Sequence, residues 1–91
     1  MPLVSIITVC RNDAVRLDAT IRSLNEFYGD LRFEHIVVDG ESIDETGVLV
    51  IPLLKEKNFR FYSCEDSGIY DAMNRGAVYS KAPLLLFLNC G

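Results

Sequence analysis

Apolar and polar positions in this chain fall into short blocks with two alternating periods. The run Leu3-Val4-Ser5-Ile6-Ile7-Thr8-Val9 is nearly continuous and rich in β-branched residues, which predicts a strand. Beyond it, Leu17, Ile21, Leu24 and Tyr28 recur at helical spacing, with Asn12 or Asp13 placed to cap the start and Gly29-Asp30 to break the end. Phe33-Glu34-His35-Ile36-Val37-Val38 predicts a second strand that ends at Asp39-Gly40. Ser42-Ile43-Asp44-Glu45 has the form of a capping box, so a second helix is expected to start there. Gly47, a β-branched run and Pro52 make that helix short or irregular. Phe59-Arg60-Phe61-Tyr62 reads as a third strand, and a third helix is expected from Gly68 to Ser80, burying Ile69, Met73 and Ala77. Leu84 to Leu88 is apolar on both faces and therefore expected to be a central strand.

Strands alternating with helices in this way predict an α/β fold, an open, mainly parallel sheet with flanking helices, and 3-2-1-4 is the strand order expected for it. Right-handed crossovers put the C-terminal ends of all the strands on one edge. Ligands of open α/β sheets bind along that edge, where the strand order reverses. The polar residues there are Thr8 to Asp13, Asp39 to Asp44, Ser63 to Ser67 and Asn89 to Gly91. With the reversal between the first and fourth strands, Arg11, Asn12, Asp39 and Asn89 face one crevice.

Composition narrows the ligand. The chain of 91 residues allows one domain, and at 49% hydrophobic it can bury a core. Its net charge is −4 and its nine basic residues are scattered, so no nucleic-acid partner is expected, although a single nucleotide can still be held. Cys10, Cys64 and Cys90 are odd in number and lack metal-type spacing, which reads as reduced thiols in a cytoplasmic protein. The first apolar run begins beside Met1 without a basic leader and is too short for a signal peptide or a bilayer span.

No GxGxxG follows the first strand and no GxxxxGK[ST] occurs, which leaves out a dinucleotide cradle and a P-loop. A bound phosphate would need Arg11, Arg75, a helix N-terminus or a metal. A carboxylate at the end of the second strand suits a different task, accepting a hydrogen bond from a ring N–H of uracil or guanine, or from a ribose hydroxyl. Asp39 fits that role, with Gly40 letting a base approach; the alternative is that Asp39 helps to cap the second helix.

Three segments then carry a family resemblance. Val4 to Val9 followed by Arg11-Asn12 is one, and Val37 to Thr46, similar to VVDGGSTDGT, is the second. The third is Glu65 to Gly76, continued by Pro83 to Leu88 and Asn89-Cys90-Gly91, which is similar to GIYDAMNKG…FLNSGD. In order and spacing they resemble family 2 glycosyltransferases, GT-A fold enzymes that move a sugar from a nucleotide donor. The resemblance implies that residues 1–91 are the N-terminal, Rossmann-like, nucleotide-sugar-binding half of a GT-A domain. Contacts to a UDP- or GDP-type donor are implied for Thr8, Cys10, Arg11, Asn12, Asp39, Gly40, Glu41, Asp66, Gly68, Asp71 and Asn74. It also implies a divalent metal, Mg or Mn, a glycan or lipid-linked acceptor, a general base, and inversion by direct displacement. In the family an acidic metal motif follows the fourth strand directly, so this chain is expected to stop before that motif and the acceptor half, and to be inactive alone.

Departures from the family pattern are specific. Many members carry a second Asp where Gly40 stands, and there it is the second carboxylate that meets the base. Glu41 and Glu45 replace Gly, Arg11 replaces an aromatic residue, and Cys90 replaces Ser or Asp. His35 is expected to be a packed strand histidine, and Tyr62, Tyr70 and Tyr79 packing residues. Asp71 and Asn74, three apart on one helix face, either point at the donor or, for Asn74, bind backbone near the fourth strand. Asp66 or Ser67 can cap that helix. The other class consistent with the residues is a non-catalytic α/β piece that binds nucleotide or self-associates through its exposed sheet edge.

Overall fold

The computed structural model describes residues 2–65 and 68–88, with the backbone alone for Ile69 and Tyr70. Four strands, β1 (Val4–Cys10), β2 (Phe33–Asp39), β3 (Phe59–Ser63) and β4 (Leu84–Phe87), form one sheet in the order β3-β2-β1-β4. Every pairing is parallel: Val4 lies opposite Phe33 and Leu84, and His35 opposite Phe59. Between the strands run α1 (Ala14–Ser23), α2 (Thr46–Val50) and α3 (Ile69–Tyr79), with short 3₁₀ turns at Asn25–Gly29 and Ile51–Leu53. The α/β class is the one the alternating pattern predicts, and the 3-2-1-4 order is the one expected. Among the described residues no helix is long and apolar enough to cross a membrane.

Because side chains alternate along a strand, β1 and β2 each feed two cores. Ile6, Cys10 and Val37 pack with Phe59 from β3 against Leu17 and Leu24 of the α1 segment, Tyr28 and Val50. On the other face Ile7, Ile36 and Val38 pack under Ala72 of α3. That face also buries a polar group. Glu34 accepts from Ser5 Oγ and, at 2.7 Å, from the Lys81 N–H, and pairs with Arg60 at 2.5 Å. Burial raises the Glu34 pKa, but the hydrogen bonds from Ser5, Lys81 and Arg60 outweigh it and hold the carboxyl below its usual range. Arg60 also donates to the Tyr79 carbonyl at 2.8 Å, so the pair pins the end of α3 to the sheet.

Three expectations need correction. α3 does not turn Met73 and Ala77 fully inward: both are half-buried, and Ala72 and Gly76 meet the sheet, while the Ile69 side chain lies outside what is described. A Cβ on Gly76 would lie 2.4 Å from Ile7 Cγ2, so the small residues set how closely the helix can approach. The second helix starts at Thr46 rather than after Ser42, since Ser42 is engaged elsewhere and Asp44 instead accepts the Thr46 N–H at 3.0 Å. β4 is not central within the described sheet. It pairs with β1 alone and leaves Leu84, Leu85, Leu86 and Phe87 62%, 44%, 53% and 39% exposed.

Candidate functional site

Parallel strands deliver Arg11, Gly40-Glu41 and Glu65 to one edge, each just beyond the end of β1, β2 and β3. These residues line a cleft of about 370 Å³. Arg11, Glu41 and Glu65 are exposed, and Gly40 is buried beneath them. Glu65 was missed as a candidate; the signal was there, in its place within the polar segment that follows the third strand.

Under the cleft lies a brace of hydrogen bonds centred on Asp39, which is 2% exposed. Its Oδ2 accepts the Ser42 N–H at 2.9 Å and the Ser63 hydroxyl at 3.0 Å. Its Oδ1 accepts the Ser42 hydroxyl and, at 3.6 Å, the Cys10 thiol. Two oxygens with about four lone-pair sites are thereby matched to four donors. One carboxylate ties together the ends of β1 and β3 and the loop after β2.

A second tie comes from Asn12. Its N–H donates to Ser42 Oγ at 2.7 Å and its side-chain oxygen accepts the Ile43 N–H at 2.7 Å. Asn12 sits at φ 49° and Glu41 at φ 57°, left-handed conformations that Asn tolerates and Glu does not favour. Asp44 adds a third tie by accepting the Ala14 N–H at 3.1 Å, which supplies the N-terminus of α1 with the cap that Asp13 does not make. The hydrogen bond from Thr46, together with those from the Thr46 and Ala14 N–H groups, holds the Asp44 carboxyl below its usual range.

Of the residues expected to share one crevice, Arg11 lines this cleft together with Gly40 and Glu41, Asn12 serves the wall behind it and Asp39 lies beneath it. Thr8 and Cys10 have no surface to offer a ligand: Thr8 is fully buried and Cys10 is 4% exposed. The Thr8 hydroxyl lies 2.8 Å from His35 Nε2, and the Tyr28 hydroxyl 2.9 Å from Nδ1. His35 is therefore a packed strand histidine, and burial pushes its pKa down to about 4. Gly68, at φ 119°, precedes α3. Asp71 on that helix pairs with Arg75 at 3.2 Å, and Asn74 is exposed; none of the three lines the cleft. Asp66 and Asn89 lie outside the described residues.

A family model described as Glycosyl transferase family 2 matches residues 5–90. An uncharacterized glycosyltransferase of Mycobacterium tuberculosis is 40% identical over 91 residues, covering 97% of this chain and 33% of its own length. Among solved structures, glucosyl-3-phosphoglycerate synthase from Mycobacterium tuberculosis with Mn2+, UDP and glucosyl-3-phosphoglycerate is similar at a TM-score of 0.80 and 19% identity, over 98% of this chain and 33% of that one. The mannosyltransferase PcManGT from Pyrobaculum calidifontis with GDP-Man and Mn2+ is similar at 0.81 and 20%, over 98% and 27%. At that identity the two structures speak for the fold alone. The chain spans about a third of the length of the curated relative.

Proposed function

This chain belongs to glycosyl transferase family 2, and on that membership we propose that it forms the donor-nucleotide part of an enzyme that passes a sugar from a nucleoside diphosphate to a glycan or lipid-linked acceptor. The observation that carries this reading is the convergence of Arg11, Gly40, Glu41 and Glu65 on one cleft at the carboxyl ends of three parallel strands. Two carboxylates against one guanidinium make that cleft hostile to a diphosphate and suited to the uncharged base and ribose. The phosphates then point away from Glu41 and Glu65 toward the β1–β4 side, with Arg11, at the end of β1, offsetting the nearer one. Asp39 does not meet the base in this reading. Its acceptors are filled, and it acts by holding the loop on which Gly40 and Glu41 sit.

The similar synthase and mannosyltransferase were each solved with Mn2+, and the intact enzyme is proposed to use a divalent metal likewise. Among the described residues no group of three or more His, Cys, Asp or Glu side chains could hold one. Because the chain spans about a third of its curated relative, the 91 residues are proposed to bind donor without transferring sugar. Titration calorimetry with UDP and GDP should give saturable binding, and no heat from either would sink the nucleotide reading. Sugar transfer by the purified chain from any nucleotide sugar would overturn its inactivity.

A second property is favoured by β4, whose four apolar side chains are exposed and whose outer edge is unpaired among the described residues. Self-association through that edge is proposed; sedimentation of a clean monomer at micromolar concentration would dispose of it. An odd number of cysteines without metal-type spacing favours a reducing compartment, so a cytoplasmic location is proposed, testable by cell fractionation.

A further inference from the structure

We infer that the cleft selects a guanine nucleotide over a uracil nucleotide, an inference that rests on the nucleotide reading above and names its base. The side-chain donors and acceptors of the cleft decide which base edge it matches. The Gly40 N–H is already given to the Cys10 carbonyl at 3.0 Å, and the Ser42, Ile43 and Asn12 N–H groups to Asp39, Asn12 and Ser42. The backbone donors identified beside the cleft are thus occupied. The carboxylates of Glu41 and Glu65 are exposed and engaged in no hydrogen bond or ion pair among the described residues. Among the described residues, the side chains that line the cleft therefore offer a base two carboxylates and one guanidinium.

A base complementary to such a surface must present donors. Guanine has N1–H and N2–H side by side, matched to a carboxylate by two parallel hydrogen bonds. Uracil presents a single N3–H between two carbonyl oxygens, and a carboxylate that reaches the N–H brings negative charge against both carbonyls. Position assigns the two acids. With the phosphates directed toward the β1–β4 side, the base lies toward β3, where Glu65 stands, and the ribose lies beside Glu41. Glu65 reads the guanine edge, and Glu41 accepts from a ribose hydroxyl.

The two roles separate in a titration of the purified chain with GDP and UDP. The wild-type protein should bind GDP at least about tenfold tighter than UDP, a charged bidentate pair against none. Glu65→Gln should weaken GDP by about tenfold and change UDP by less than about twofold, bringing the ratio toward one. Glu41→Gln should weaken both nucleotides alike and leave the ratio standing. Equal or tighter binding of UDP overturns the guanine inference while leaving the nucleotide reading intact. A ratio unmoved by Glu65→Gln overturns the assignment of Glu65 as the base reader. Failure of both nucleotides to bind removes the inference together with the reading beneath it. Both positions are exposed and the replacements isosteric, so loss of fold does not confound the comparison.

Discussion

Replacing Asp39 by Asn tests whether the candidate site is built on that carboxylate. The side chain keeps its size, but one oxygen becomes an NH2 group that donates. At the Oδ2 position the NH2 would face the Ser42 N–H, which has no means of accepting, so the amide must turn its NH2 toward Oδ1. There it meets the Ser42 hydroxyl, already an acceptor for the Asn12 N–H, and the Cys10 thiol. The bonds kept, from the Ser42 N–H and Ser63, change from charge-assisted to neutral. Bonds to charged groups are worth about 1.5–3 kcal/mol and neutral ones about 1, so losing charge on two and disturbing two more costs about 2–4 kcal/mol. Urea unfolding followed by circular dichroism should then show the midpoint lower by roughly 1–2 M at an unchanged slope. Ser63→Ala should cost about 1 kcal/mol in the native background and less in the Asp39→Asn background, because the two share one bond. A variant within about 0.5 kcal/mol of the native protein, or strict additivity with Ser63→Ala, would refute the brace.

Further outcomes are open to measurement. Gly76→Ala should destabilise by about 1–3 kcal/mol in the same urea assay, because its Cβ would lie 2.4 Å from Ile7 Cγ2; an Ile7→Ala background, which removes that atom, should shrink the cost, and an unchanged cost would reject the contact. His35 stays neutral in the fold, its pKa lowered from 6.5 to about 4, so the unfolded chain takes up a proton first as pH falls. Stability should therefore be full above about pH 6.5 and decline by about 3 kcal/mol down to pH 4, and His35→Gln should flatten that slope. Glu34, lowered from 4.5, adds an acid loss that lies below that value, which separates the two groups. Glu41→Gly should relieve the left-handed backbone at φ 57° and raise stability by about 0.5–1 kcal/mol while weakening nucleotide binding; a lower melting temperature would contradict it.

The parallel sheet and its binding edge were legible because they follow from alternation and handedness, which single residues barely perturb. The pattern of Leu3 to Val9, Phe33 to Val38, Phe59 to Tyr62 and Leu84 to Leu88 placed all four strands within a residue or two. Arg11, Gly40 and Glu41 were legible for the same reason, as residues that must follow a strand end. What escaped was decided by partners distant in sequence. Ser42 looked like a cap because its local spacing fits one, yet its hydroxyl is claimed by Asp39 and by the Asn12 N–H thirty residues earlier. The face of α3 was misjudged because size was weighed above spacing: the large Met73 is set aside so that Ala72 and Gly76 can approach Ile7. Thr8 was placed at the edge by proximity to a strand end, whereas its side chain points into the layer that holds His35.

Two strained residues flank the cleft, and the difference between them bears on what the strain is for. Each left-handed residue costs on the order of 1 kcal/mol or more unless it is Gly. Asn12 is compensated, since both its N–H and its side-chain oxygen are bonded across to the loop after β2. Glu41 gains nothing comparable for itself. Its neighbours are held on both sides, Gly40 by the Cys10 carbonyl and Ser42 by Asp39, and these bonds impose the turn between them. A Gly would satisfy that turn with less strain, so packing does not explain a Glu there. What the position does supply is an exposed carboxylate with no hydrogen-bond or ion-pair partner among the described residues, on the edge where Arg11 and Glu65 also stand. The strain at Asn12 therefore belongs to the scaffold, and on the proposed nucleotide reading the strain at Glu41 serves the ligand. The brace on Asp39 keeps the cleft formed before a nucleotide arrives, which reduces the ordering that binding must impose.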